Sequence, residues 1–271
     1  MSLRTAKQRA KVLRVDQGSA SLRMDTLIGE EPLSIGCQGP SGKREVITTT
    51  LRTPGDDFAL ATGLVITEGF FSPNEISGAK YCVPREQQQE YNAVTLLVLR
   101  ELGETVPTLR TSSCGWCGTV DLEDRSKVQK ASAGEMVFKA SEIHHLAKEL
   151  TRRQRGLSDT GAAHAALICL RDGGMFIGED VGRHNALDKA VGKAFAAGSD
   201  TADSAVVLSG RAGVDLVAKS ARAGAALIAA VSAPTSLAVK YATEAGICLV
   251  GFLREERFNV YSRFDAIDLE A

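Results

Sequence analysis

Two cysteines separated by two residues stand in the run Ser112-Ser113-Cys114-Gly115-Trp116-Cys117-Gly118-Thr119. At that spacing one thiolate can be activated by its neighbour, resolved by it, or share a metal ion with it. The flanking glycines let the backbone turn tightly and keep the sulfurs reachable. In a chain without signs of secretion, such a pair points to redox, metal or sulfur-transfer chemistry rather than to a staple. Zinc would need two further ligands. His144 and His145 are adjacent on a predicted helix and point about 100° apart, so they make poor joint ligands. A nucleobase-deaminase site needs His-x-Glu ahead of Pro-Cys-x-x-Cys, but His164 is followed by Ala165-Ala166 and Cys114 is preceded by Ser113. A thioredoxin-like dithiol belongs between a strand and a helix of a β-α-β unit. A persulfide relay needs one exposed thiolate of low pKa, and this loop would serve. The motif alone leaves these chemistries open.

Three further runs carry reactive groups. Glu179-Asp180-Val181-Gly182-Arg183-His184-Asn185-Ala186-Leu187-Asp188-Lys189 brings acid, guanidinium, imidazole and amide to a predicted strand-to-helix junction, where open α/β sheets bind ligands. His184 is read as an acid/base group or as a loop anchor. Asn185 reads as a helix cap, with Asp188 completing a capping box. Leu208-Ser209-Gly210-Arg211-Ala212-Gly213 combines glycines, an arginine and a helix start, the makings of a phosphate cradle or of a tight β-α turn. Ser232-Ala233-Pro234-Thr235-Ser236 is a weaker version of the same arrangement.

The elements that must position these runs follow from periodicity. The first dozen residues read as a basic, loosely ordered tail. Strands are predicted at Glu31 to Cys37 and Arg44 to Leu51, joined through Gly39-Pro40-Ser41-Gly42. A helix follows with Phe58, Leu60, Ala61, Leu64 and Val65 at helical spacing, and Asp56-Asp57 reads as its cap. Gln87 to Glu90 is a solvated loop, and Tyr91 to Leu99 is a strand. The second half, from a helix near Ser141 to Arg153 onward, alternates apolar strands (Ala163–Leu170, Gly174–Glu179, Ala205–Leu208, Ala226–Val231, Gly246–Phe252) with helices (Asn185–Ala197, Val214–Ala223, Ser236–Ala245). Such alternation predicts a layered α/β sheet with parallel pairs, and Pro234 fits an early helical turn.

The chain has 271 residues, enough for one large domain or two modest ones, and 44% are hydrophobic. A formal charge of −1 gives no general attraction to nucleic acid or anionic membranes. The N-terminus lacks the apolar core of a signal peptide, and Ala223 to Ala233 is too short to span a bilayer. The expectation is a reduced cytoplasmic protein with no resident metal, no nucleic-acid partner and no membrane insertion. Cys169 and Cys248 lie in apolar runs and read as core thiols, and Cys37 and Cys82 as bystanders.

Taken together, these runs resemble the FdhD family, sulfur carriers required for formate dehydrogenase activity. The likeness spans Glu31-Pro32-Leu33, Arg52-Thr53-Pro54-Gly55-Asp56-Asp57, Thr67-Glu68-Gly69, Cys114 to Gly118 and Glu179 to Lys189. It continues through Ser209-Gly210-Arg211, Val231 to Pro234, and Gly251-Phe252-Leu253-Arg254 to Tyr261-Ser262. The resemblance implies a cysteine desulfurase as sulfur donor, and the bis-molybdopterin guanine dinucleotide molybdenum cofactor as acceptor before its insertion into formate dehydrogenase. It implies Cys114 as the persulfide-bearing residue with Cys117 as its partner, and a cofactor-binding stretch at Phe252, Leu253, Arg254, Glu255, Glu256 and Arg257. Arg183, His184 and Arg211 join that site as candidates. It also implies a homodimer, with a smaller strand-rich α+β domain over 1–125 and a cytidine-deaminase-like α/β half over 126–271. Glu255-Glu256 departs from the relatives' Gly or Pro-Gly, and two carboxylates would repel an anionic ligand unless turned away or bonded to guanine N–H groups. Two readings compete with sulfur transfer: a zinc-dependent deaminase relative and a chaperone that only holds the cofactor.

Overall fold

The computed structural model describes residues 5–82, 91–103 and 136–269. Cys114, Cys117, the Gln87 to Glu90 stretch and the proposed boundary at 125/126 lie outside the described residues.

From Lys7 onward the expected loose tail is instead a strand. β1 (Lys7–Asp16) pairs antiparallel with β2 (Ser19–Ile28) around Gln17-Gly18, both with positive φ. Neither strand alternates cleanly between apolar and polar, and Leu13, Val15, Leu22 and Met24 remain exposed, so the period-2 signature of a half-buried strand is missing. The predicted connection through Gly39 to Gly42 is a true hairpin: β3 (Glu31–Gln38) and β4 (Arg44–Arg52) pair antiparallel, and the Gly42 N–H closes on the Gly39 carbonyl at 3.0 Å. β5 (Ile76–Tyr81) and β6 (Ala93–Val98) complete a four-stranded sheet in the order β4-β3-β6-β5. Leu33, Ile35, Val94 and Leu96 on that sheet are buried against Leu60, Ala61, Leu64 and Val65 of α1 (Asp57–Thr67).

Asp56 takes the cap position of α1 and Asp57 its first turn, as read, but both carboxylates are committed to ion pairs rather than to capping N–H groups. Asp57 is buried and takes Nε and Nη2 of the fully buried Arg52 at 2.8 and 3.1 Å. Asp56 adopts a left-handed conformation (φ 55°) with no side-chain cap bond and pairs with Lys193 at 2.7 Å. A guanidinium taken out of water needs a carboxylate close by, and that demand outranks a helix end.

The second half is one mixed sheet between two helical layers. Its strands are β8 (His164–Cys169), β9 (Met175–Asp180), β10 (Ser204–Leu208), β11 (Ala225–Ala230), β12 (Cys248–Gly251) and β13 (Asn259–Ser262), in the order β13-β12-β11-β10-β8-β9. β10, β11 and β12 run parallel, as the apolar runs predict, while β8 is antiparallel to both β9 and β10. On one face α4 (Arg183–Ala196), α5 (Val214–Arg222) and α6 (Ser236–Ala245) cover Ile168, Val206 and Ile228. On the other, Ile143, Leu146 and Leu150 of α2 (Ala140–Arg153) cover Leu167, Val207 and Leu227, and a short α3 (Arg155–Thr160) follows. A remaining bridge pairs β7 (Phe138–Lys139) with β14 (Ile267–Asp268).

Glycine brings the two halves together. A Cβ at Gly63 of α1 would fall 1.8 Å from the Asp188 carbonyl oxygen of α4, and one at Gly192 of α4 would fall 1.9 Å from the Ala59 carbonyl oxygen. α1 therefore packs its second face directly onto α4. No helix among the described residues is long and apolar enough to cross a membrane.

Candidate functional site

Strand directions decide where the chemistry gathers. Because β8 runs antiparallel to β9 and β10, its first residue lies at the same edge as the last residues of β9, β10, β11 and β12. That edge collects His164, the Asp180–His184 turn, the Ser209–Gly213 loop, the Ser232–Thr235 loop and the Phe252–Arg257 stretch. Backbone bonds join the loops into one rim. Ser209 N–H reaches the Ala165 carbonyl (3.0 Å), Ser232 N–H the Gly210 carbonyl (3.1 Å), Thr235 N–H the Ala212 carbonyl (3.0 Å) and Phe252 N–H the Ser232 carbonyl (3.2 Å). The Ala165 N–H donates to Ser209 Oγ at 2.8 Å.

Three helices begin at this rim, capped by Gly182, Gly213 and Thr235. Their first N–H groups have no partners within their own helices, and their dipoles favour negative charge. The side chain of Thr235 accepts from the Ala238 N–H at 3.3 Å, so Thr235, not Pro234, marks the start of α6. Asn185 is not a cap either. It lies inside α4, buried, where its Nδ2 donates to the Leu51 carbonyl (2.8 Å) and to Asp180 Oδ1 (3.2 Å). Asp188 completes no capping box: its carboxylate faces Lys219 and Thr67 in the interior. Leu51, Thr67 and Lys219 lie far away in sequence, so no local pattern announces these bonds.

His184 and Arg183 open α4 at the rim, both half-buried. His184 Nε2 bonds Asp215 Oδ2 of α5. Burial alone would push the Asp215 carboxyl up. The hydrogen bond and charge of His184, the Leu216 N–H and the Arg183 charge outweigh it and hold the group below the ordinary aspartate value. Gly213 makes room for this arrangement, since a Cβ there would meet Asp215 Oδ1 at 2.4 Å. Sequence reading missed Asp215, which carries no local signal.

The Phe252–Arg257 stretch leaves the end of β12. Phe252 has φ +51° and is 43% exposed, a left-handed conformation that costs a non-glycine residue about 1–2 kcal/mol. Leu253 turns into the core, 1% exposed, with its N–H on the Ala230 carbonyl at 3.0 Å. Arg254 Nη1 donates to the Val231 carbonyl (2.6 Å) and to the Leu253 carbonyl (2.8 Å), while its own carbonyl meets His144 Nδ1 at 3.2 Å. The Arg254 N–H closes on the Arg257 carbonyl at 2.8 Å, so Glu255 and Glu256 form the exposed tip of a tight turn. Arg211 and Arg257 are exposed, and among the described residues neither makes a side-chain hydrogen bond or ion pair. Of the predicted cofactor residues, then, Arg183, His184, Arg211, Phe252, Arg254 and Arg257 share one rim, Glu255 and Glu256 sit at its outer tip, and the Leu253 side chain is withdrawn.

Cys37, Cys169 and Cys248 are poor nucleophiles. Burial pushes the Cys248 thiol up to about 12 and the Cys37 thiol up to about 11, and it raises Cys169 as well. A thiol held protonated does little sulfur chemistry near neutral pH.

The profile of the FdhD/NarQ family matches residues 28–268. The protein called Sulfur carrier protein FdhD in Streptomyces avermitilis is 39% identical over 97% of this chain and 96% of its own length. The protein of the same name in Mycolicibacterium paratuberculosis is 38% identical over 96% of this chain and 98% of its own. A crystal structure from Desulfotalea psychrophila, described as a formate dehydrogenase accessory protein, superposes with a TM-score of 0.76 over 97% of this chain and all of that one, at 22% identity. With the family profile and the relatives agreeing almost end to end, and the fold shared as well, the chain belongs to the FdhD/NarQ family.

Proposed function

We propose that this protein is a sulfur carrier that takes persulfide sulfur from a cysteine desulfurase onto Cys114. It passes that sulfur to the bis-molybdopterin guanine dinucleotide molybdenum cofactor before the cofactor enters formate dehydrogenase. The loading step balances without an external oxidant. The Cys114 thiolate attacks the terminal sulfur of the donor's persulfide, the donor's sulfur–sulfur bond breaks, and the donor cysteine leaves as thiolate. Cys114 then holds the S–SH group, and Cys117, three positions along the chain, is its partner.

The observation that carries the cofactor half of this reading is the rim itself. Arg211 and Arg257 are exposed and uncommitted among the described residues, and three helix N-termini open beside them. Phosphates of a dinucleotide suit such a surface. The turn that puts Glu255 and Glu256 at its tip sets them apart from the helix starts. The β9-β8-β10-β11-β12 order with helices on both faces is compatible with a cytidine-deaminase-like half over 126–271 beside a domain over 1–125. Cytoplasmic residence and a homodimer belong to the same reading.

Complementation of a strain lacking its own carrier tests the function. The wild-type chain should restore formate dehydrogenase activity, Cys169→Ala should restore it too, and Cys114→Ala should not. Full rescue by Cys114→Ala would instead favour a chaperone that holds the cofactor without moving sulfur.

A further inference from the structure

β12 and β13 pair antiparallel and close with Gly251 against Asn259, so residues 252–258 form the loop of a hairpin. Seven residues exceed the roughly two to five usual for such loops, and a loop of that length needs anchors from outside itself. Its first limb has them. The Leu253 N–H donates to the Ala230 carbonyl, its side chain is buried, and Arg254 Nη1 donates to the Val231 carbonyl at 2.6 Å. Beyond Arg254 come the exposed residues Glu255, Glu256 and Arg257. Among the described residues, the backbone bond that holds them is the Arg254 N–H to the Arg257 carbonyl.

One side chain touches both limbs. His144 Nδ1 meets the Arg254 carbonyl at 3.2 Å on the first limb, and its ring lies tilted against the Phe258 ring on the second, 5.1 Å between centroids. A carbonyl oxygen only accepts, so Nδ1 carries the proton of this bond. The ring plane then fixes the direction in which that proton points. The helix behind it cannot shift freely: Ile143, 0% exposed, and Ala147, 7% exposed, pin α2 to the sheet on either side of His144. His144 stands 110 residues from Arg254 along the chain, and it carries the position of a packed helix to both ends of an exposed turn.

Where that turn is held decides which charges it presents. Arg254 and Arg257 flank Glu255-Glu256, two cations and two carboxylates within four residues. For an anionic ligand, a swing of the turn exchanges attraction for repulsion, because Coulomb energy changes sign with the nearer charge.

We propose that His144 is a positioning residue: by holding the Arg254 carbonyl and the Phe258 ring at once, it fixes the 254–257 turn so that its arginines, and not its glutamates, meet an anionic ligand. The assignment rests on the function proposed above only for that ligand's identity.

Tryptic cleavage of the full chain after Arg254 and Arg257 reads the turn without any ligand, since cleavage tracks the population of locally open states. Titration calorimetry with GDP reads the consequence. His144→Ala should be cut about three- to tenfold faster at those two sites, the worth of one hydrogen bond. Cleavage after the exposed Arg211 should not change, and the thermal midpoint should stay nearly the same. GDP affinity should fall by a similar factor. His144→Asn, whose amide N–H replaces Nδ1, should restore both. In an Arg257→Ala background, His144→Ala should cost little further affinity, because it acts through the turn. Wild-type cleavage and GDP affinity in folded His144→Ala would overturn the assignment, as would an undiminished loss in the Arg257→Ala background or failure of His144→Asn to restore either readout. Faster cleavage at the turn in a chain that binds no GDP would leave His144 in its role and remove the cofactor reading. Equal GDP binding by wild type and His144→Ala, with equal cleavage, would do the opposite.

Discussion

His184 Nε2, at the start of α4, is bonded to Asp215 Oδ2, at the start of α5, so one side-chain contact ties together two helix N-termini that open onto the rim. Their separation along the chain is 31 residues. Asp215→Asn keeps the shape and removes the charge. It should cost about 1.5–3 kcal/mol, the range for hydrogen bonds to charged groups. The folded Asp215 pKa is depressed, so its contribution to stability is present above the unfolded aspartate value and fades as pH falls through the folded one. Urea unfolding from pH 7 down to pH 2 should therefore show wild type and variant converging at the acid end. A constant gap at every pH would contradict the charge's role.

Buried charge elsewhere sets the frame on which the rim is built. Lys219 Nζ contacts Asp188 Oδ2 at 2.7 Å and Glu68 Oε1 at 3.1 Å, nearly shielded from solvent. Burial pushes the ammonium toward neutrality, but Asp188 and Glu68 carry it the other way, above the ordinary lysine value. Lys219→Met should destabilise by about 3–5 kcal/mol, because it strands two carboxylates. Chemical denaturation measures this. A loss under about 1 kcal/mol would mean the carboxylates find other partners.

The α1–α4 contact should tolerate no added methyl group. Gly63→Ala places a Cβ against the Asp188 backbone and Gly192→Ala one against the Ala59 backbone. Each should lower stability by about 1–3 kcal/mol or more, as overpacking does. Thermal unfolding of each variant is the check, and an unchanged midpoint would show that the helices separate at no cost.

Phe252 is held in a left-handed conformation that glycine would adopt freely. Phe252→Gly should therefore leave the melting midpoint unchanged or slightly higher, since the relief of about 1 kcal/mol offsets glycine's entropy. GDP affinity should fall, if the exposed ring serves the ligand. A variant that loses stability and binds GDP normally would make the ring structural.

Much of the second half was legible because its strands are buried on both faces and read as apolar runs. Val206, Val207, Ile228 and Leu249 announce strands whichever face they serve. The β1–β2 hairpin was illegible because Leu13, Val15 and Met24 stay exposed and no face alternates. The polar signals misled where a partner outside the residue's own helix claimed it. Asp57 belongs to Arg52, Asn185 to Leu51 and Asp180, and Asp188 to Lys219 and Thr67. Arg183, His184 and Arg211 could be placed on the rim from sequence because they stand in strand-end loops, where sheets bind ligands. Asp215 and His164 could not, since only the strand order brings them to the same edge.

The central claim is that Cys114 carries sulfur. The direct measurement is mass spectrometry of the intact protein and its alkylated peptides after incubation with a cysteine desulfurase and free cysteine, with Cys114→Ala in parallel. The account predicts one added sulfur on the Cys114 peptide, absent in the variant and absent from the peptides of Cys37, Cys169 and Cys248. No added sulfur beside a demonstrably active desulfurase, or the same gain in Cys114→Ala, would contradict it.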